Sequence, residues 1–204
     1  MAHHHTSPTL VIGYGNTLRS DDGVGPAIAQ AVSEWENPHI RTIICHQLTP
    51  ELADPIAAAD LVIFVDAIAH IGDSHPEIVV QSLSPNLLSS GAEMTPNWMA
   101  HRCHPTTLLS LAQWLYHHAP KAWLVAIPAV SFAMGCEFSE TAIQQMQTAL
   151  KIIEVIVQHS EQLDAKLSDS CTCYTTPQSV FDLLPNATLS AELATSSKVC
   201  SYTP

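Results

Sequence analysis

Three loops carry residue types that could hold a cation between them. Asp21 and Asp22 lie in the stretch Gly13-Tyr14-Gly15-Asn16-Thr17-Leu18-Arg19-Ser20-Asp21-Asp22-Gly23-Val24-Gly25. Asp66 closes the apolar run Leu61-Val62-Ile63-Phe64-Val65, and His101 or His104 precedes the Leu-rich segment opened by Pro105. Two carboxylates and one imidazole from separate loops form an O,O,N donor set that suits a first-row divalent metal and leaves coordination positions for other ligands. Each residue also has a plainer use. Asp21 or Asp22 could serve a turn or a helix N-terminus, Asp66 a strand-end turn, and His104 an N-cap before Pro105. His101, beside Arg102, could be a surface histidine.

Other chemistries fit the same stretches less well. A dinucleotide fingerprint needs a third glycine where Leu18 stands, and a phosphate would meet Asp21 and Asp22 where it needs amide donors. No Gly-Lys-Ser/Thr follows, so the phosphate-binding P-loop is absent too. The chain also lacks a Gly-x-Ser-x-Gly elbow and a His-Glu-x-x-His helix, the signatures of a serine hydrolase and of a conventional zinc protease. Cys103 sits between His101 and His104, but neighbours on one loop do not by themselves make a nucleophile and its base.

The elements that must position these groups are readable from periodicity. Runs rich in Val and Ile at 9–14, 41–46, 61–66, 77–81 and 122–128 predict strands. Segments 24–36, 50–58, 105–118 and 138–158 have helical spacing, the first with its opening turn near Pro26. The alternation predicts a single three-layer α/β domain: a twisted, mostly parallel five-stranded sheet with helices on both faces. In such sheets ligands sit beyond the carboxyl ends of the strands, so the loops after Tyr14, Cys45 and Val65 should meet along one edge. The expected division is an N-terminal extension over 1–8, the domain over 9–160, and a weakly ordered Ser, Thr and Pro-rich extension over 161–204. That tail holds the closely spaced Cys171 and Cys173, read as thiols.

The 204 residues include 7 Lys and Arg against 19 Asp and Glu, giving a formal net charge of -12. Such a surface repels phosphate backbones and anionic membranes, so neither nucleic acid nor a membrane is expected as a partner. With 47% hydrophobic and 13% charged residues the composition is that of a globular domain. The N-terminus lacks the apolar core and basic flank of a signal peptide, so a cytoplasmic location is expected.

Taken in order, the pieces Gly13-Tyr14-Gly15-Asn16, Asp21-Asp22-Gly23-Val24-Gly25, Asp66-Ala67, a His ahead of a Leu-rich helix, and Ile127-Pro128 form a pattern. From about Thr9 to Gln158 the chain resembles the nickel-iron hydrogenase maturation endopeptidases. The resemblance implies a protease that cuts the C-terminal extension from the hydrogenase large-subunit precursor after nickel insertion, reading nickel carried by that precursor. It implies Asp22, Asp66 and His101 as metal contacts, with His101 preferred because it stands seven and eight residues before Leu108 and Leu109. Asp22 and Asp66, with Asp21 as a helper, are then the candidate catalytic residues. Where many relatives carry an Asp-Gly-Gly-Thr type motif, this chain has His46-Gln47-Leu48-Thr49-Pro50-Glu51-Leu52. That segment looks like the subgroup serving bidirectional, NAD(P)-linked hydrogenases, with His46, Gln47 and Leu48 as substrate-recognition candidates. Two alternatives differ in class: a nickel-binding chaperone, in which Cys171 and Cys173 would matter, and a nucleotide-binding α/β module indifferent to Asp66.

Overall fold

The computed structural model describes residues 8–70, 77–85 and 103–167. Its strands are β1 (Thr9–Tyr14), β2 (Ile40–Cys45), β3 (Leu61–Ala69), β4 (Val79–Leu83) and β5 (Lys121–Ala129), joined in one sheet of order β2-β1-β3-β5-β4. β1 pairs in parallel with β2 and β3, and β3 in parallel with β5; β4 alone runs antiparallel, on the outer edge against β5. The helices are α1 (Val24–Ser33), α2 (Ala53–Ala57), α3 (Pro105–Tyr116) and α4 (Glu140–Leu167).

The central strands read as unbroken apolar runs because both of their faces are covered. In β1, Val11 points into one core with α1 and α4, while Leu10 and Ile12 point into the other with α2 and α3. α1 places Val24, Ile28 and Val32 four residues apart on its buried side. Each such side chain contributes about 1.5–3 kcal/mol relative to exposure, which fixes the helix against the sheet.

Several boundaries differ from the sequence reading. α1 begins at Val24, preceded by a 3-10 turn at Ser20–Gly23, so Pro26 falls within the first turn, where a missing N–H costs nothing. β4 is displaced from 77–81 to Val79–Leu83 because its pairing with β5 continues to Ala122. The expected helix over 50–58 is a 3-10 turn at Pro50–Leu52 followed by α2. α3 stops at Tyr116 because His117 takes the left-handed conformation, φ 57°. α4 passes the expected boundary at 160 and reaches Leu167, with a non-helical residue, His159, inside it. The expected N-terminal extension up to residue 7, the tail from 168 with Cys171 and Cys173, and His101 lie outside the described residues.

The topology locates the site. From β1 the chain crosses through α1 to β2 on one side, then returns through α2 to β3 on the other, so the loops after β1 and β3 part at their carboxyl ends. A crevice opens at this reversal of strand order.

Candidate active site

The loop after β1 is shaped by close packing. A Cβ on Gly13 would collide with the carbonyl of Gly25, and one on Gly25 would lie 2.5 Å from the carbonyl oxygens of both Tyr14 and Val65. The glycines therefore let the start of α1 rest directly on β1 and β3. They form no open phosphate cradle, and the space beside them is filled by the chain's own backbone.

Asp21 and Asp22, adjacent in sequence, face different surroundings. Asp21, expected to help at the reaction centre, is fully buried and does not line the cleft. Its Oδ2 accepts from Val130 N–H at 2.9 Å, Ser131 N–H at 3.0 Å and the Ser139 hydroxyl at 2.9 Å, and its Oδ1 from Ser139 N–H at 2.8 Å. Burial works to raise its pKa, but the N–H groups of Ser139, Val130 and Ser131 and the Ser139 hydroxyl outweigh it and hold the carboxyl below its ordinary value. Asp21 thus fastens the first loop to the segment joining β5 to α4. Ser20 adds a bond from its hydroxyl to the Glu137 carbonyl at 2.6 Å.

Asp22 turns the other way. It is half-buried, lines the cleft, and has one oxygen fixed by the N–H of Asn16 at 3.0 Å. Asp66 lines the same cleft, and its Oδ1 accepts the N–H of Ala67 at 2.8 Å. The sequence suggested that Asp66 ends its strand; β3 in fact continues to Ala69. β1 stops pairing with β3 at Val65, however, while β5 pairs on to Ala69. Asp66 is therefore the first residue of β3 with an open flank on the β1 side.

Tyr14 stands beside it at the end of β1, and its hydroxyl is hydrogen-bonded to Asp66. Burial first, then the charge and hydrogen bond of Asp66 and the neighbouring Cys45, push the phenol well above its ordinary pKa, so it is a neutral donor. Each cleft carboxylate thus has fixed partners on one side. His46, Gln47 and Leu48 follow β2 and border the same cleft, a space of about 460 Å³. His46 and Gln47 are exposed, whereas Leu48 is buried in the α2 and α3 core.

The opposite wall is Cys103, His104 and Pro105. His104 is the N-cap of α3: its Nδ1 takes the N–H of Thr106 at 3.4 Å and lies 3.0 Å from the Thr106 hydroxyl. Burial, then the charge of Glu51, raises the Cys103 thiol, opposite to what a thiolate nucleophile needs. Among the described residues no group of three His, Cys, Asp or Glu stands close enough to hold a metal ion. The structure brings Asp22 and Asp66 to one cleft, and the third expected contact, His101, is outside the described residues.

Sequence reasoning missed Tyr14 and Arg19, both of which line the cleft. Tyr14 was legible only as the variable position between Gly13 and Gly15. Arg19 had a weak signal: it is one of only 7 basic residues, and it stands beside two acids in the most distinctive loop.

No protein-family model matches the sequence, and no curated protein matches it. Solved structures do. The hydrogenase-maturating endopeptidase HybD from E. coli superposes with a TM-score of 0.54 at 20% identity, over 83% of this chain and 97% of that one. The [NiFe] hydrogenase maturation protease HycI from Thermococcus kodakarensis KOD1 gives 0.54 at 24% identity, over 74% and 92%. HybD from Thermococcus kodakarensis gives 0.55 at 21%, over 74% and 99%. The chain has the fold of the hydrogenase maturation endopeptidases. Within that fold, Asp22 and Asp66 flank the crevice where the order of strands reverses, the usual ligand position of an open α/β sheet.

Proposed function

We propose that the chain is an endopeptidase that removes the C-terminal extension of a nickel-iron hydrogenase large-subunit precursor once nickel has been inserted. The observation that carries this reading is the pair Asp22 and Asp66. They come from different elements, the 3-10 turn before α1 and the interior of β3, line one cleft, and are each anchored by a backbone N–H in the maturation-endopeptidase fold. Nickel belongs to the substrate in this proposal. The precursor presents it, the two carboxylates and His101 complete its shell, and the scissile bond is thereby set against the loops around the cleft. With the Cys103 thiol raised and Asp21 engaged elsewhere, water is the nucleophile, and a cleft carboxylate takes its proton.

The loop His46 to Leu52 supports assignment to the subgroup serving bidirectional, NAD(P)-linked hydrogenases. His46 and Gln47 are exposed at the cleft for contact with the precursor, and Leu48 fixes the loop from below. Exposed Leu18, Ile68, Val130 and Met134 at the same sheet edge suit a protein substrate better than a small polar one. No helix among the described residues is long and apolar enough to cross a membrane, and a cytoplasmic site of action is part of the proposal.

The test is a cleavage assay on nickel-loaded and nickel-free precursor, following the released extension by mass spectrometry. Cutting of the loaded form alone, lost in Asp22→Ala, Asp66→Ala and His101→Ala, is the expected result. Failure of the folded wild-type protein to cut loaded precursors from every hydrogenase subgroup defeats the proposal.

A further inference from the structure

Among the described residues Arg19 is the one Lys or Arg that lines the cleft, in a chain with a formal net charge of -12. It is exposed, and it makes no ion pair with a described carboxylate, although Asp22 and Asp66 border the same space. Its backbone is firmly held. Arg19 N–H donates to the Asn16 carbonyl at 3.0 Å, Ser20 N–H to the Gly135 carbonyl at 2.8 Å, and Gly135 N–H to the Leu18 carbonyl at 3.0 Å, so residues 18–20 and Gly135 form a short parallel bridge. Ser20 at φ 49° and Gly135 at φ 151° bend the two segments into it. The guanidinium is tethered as well: Nε donates to the Phe132 carbonyl at 3.3 Å.

One of the five guanidinium donors is spent on that tether, and the planar fork of the two terminal nitrogens remains. Such a fork matches a carboxylate with two parallel hydrogen bonds, and pre-orientation reduces the ordering cost of making them. A carbonyl oxygen would engage it less completely.

We propose that Arg19 is a specificity-determining residue that takes a carboxylate of the substrate peptide at the mouth of the cleft. The assignment rests on the endopeptidase reading. It supplies a contact to the peptide separate from the contact to its metal, so a substrate is held at two points.

The test is steady-state cleavage of nickel-loaded precursor by wild type, Arg19→Gln and Arg19→Lys. A set of precursors in which each acidic side chain near the cut is replaced by its amide completes it. Arg19→Gln is expected to raise KM about 10-fold with kcat within about twofold, the mark of lost binding that is equal in ground and transition states. Arg19→Lys, which keeps the charge without the fork, should fall between. One acid-to-amide precursor should cost the wild type a similar factor and cost Arg19→Gln nothing more. An unchanged KM in Arg19→Gln, or a loss that no acid-to-amide change abolishes, overturns the carboxylate assignment while leaving the protease reading intact. Absence of cleavage by wild type defeats both. Unchanged thermal midpoints in the two variants show that the exposed side chain was removed without unfolding the loop.

Discussion

Asp21→Asn keeps the shape of the side chain and removes its charge, and the structure sets the size of the effect. The carboxylate accepts three backbone N–H groups and one hydroxyl, at 2.8–3.0 Å, with Oδ1 serving Ser139 N–H and Oδ2 the rest. Asparagine can turn its oxygen to only one of these sides. The amide NH2 on the other side then meets an N–H donor, leaving a buried N–H without an acceptor at a cost of about 1–3 kcal/mol, and the remaining bonds lose their charge assistance. A total destabilisation of about 2–4 kcal/mol follows. With a urea slope of about 2 kcal/mol/M, the unfolding midpoint falls by about 1–2 M. The acid limb supplies an independent check. The folded-state pKa of Asp21 lies below its unfolded value, so its contribution is complete above the unfolded value of about 3.9 and is lost as pH falls through the folded one. Wild-type stability should therefore fall over this range more steeply than that of Asp21→Asn. A variant midpoint within about 0.3 M of wild type, with parallel acid limbs, would refute the claim that Asp21 fastens the loop.

The other substitutions separate the loop's functions. Asp22→Ala and Asp66→Ala should lower cleavage of loaded precursor at least about a hundredfold, by releasing the metal and the bond it positions, while Asp22→Ala costs only about 1 kcal/mol in urea unfolding. Tyr14→Phe removes the hydroxyl that holds Asp66 and should reduce kcat/KM about 10-fold with little change in melting temperature. Gly25→Ala places a Cβ 2.5 Å from two carbonyl oxygens and should destabilise by about 3 kcal/mol or more, read by thermal unfolding. A chain ending after Leu167 should cut loaded precursor within about twofold of the full rate; loss of nickel affinity on this truncation would favour a chaperone using Cys171 and Cys173.

The strands were legible because β1, β3 and β5 are buried on both faces, and unbroken apolar runs follow from that alone. The end of β3 was not, since Asp66 looks like punctuation after Val65 and only the onward pairing with β5 keeps the strand going to Ala69. Convergence of the loops after Tyr14 and Cys45 with Asp66 followed from sheet topology, and His104 was legible as a cap because Pro105 follows it. The resemblance ranked Asp22 as the metal contact and Asp21 as a helper, but that Asp21 leaves the cleft altogether was out of reach. Two adjacent aspartates look alike in a sequence, and what distinguishes them is Ser139, 118 positions away. Arg19 is a similar case, because its orientation depends on the Phe132 carbonyl.

These long-range ties explain why a glycine-rich loop that resembles a phosphate cradle carries acids. The glycines are consumed in bringing α1 onto β1 and β3, and that contact turns the chain so that Asp21 points inward and Asp22 outward. The inward carboxylate binds the loop to the β5–α4 connection, and the same connection holds Arg19 through Phe132 and Gly135. Asp22 and Arg19 are thus held by one frame. A perturbation of Ser139, well outside the cleft, should therefore disturb both at once. Ser139→Ala removes one donor to Asp21 and the acceptor of the Ala142 N–H at the start of α4 (3.1 Å), and leaves the three backbone bonds to Asp21; cleavage should fall along with the stability lost at Asp21. Cleavage that stays at the wild-type level while the urea midpoint drops by clearly more than the roughly 0.5 M that the lost cap alone costs would show that the frame and the cleft are uncoupled.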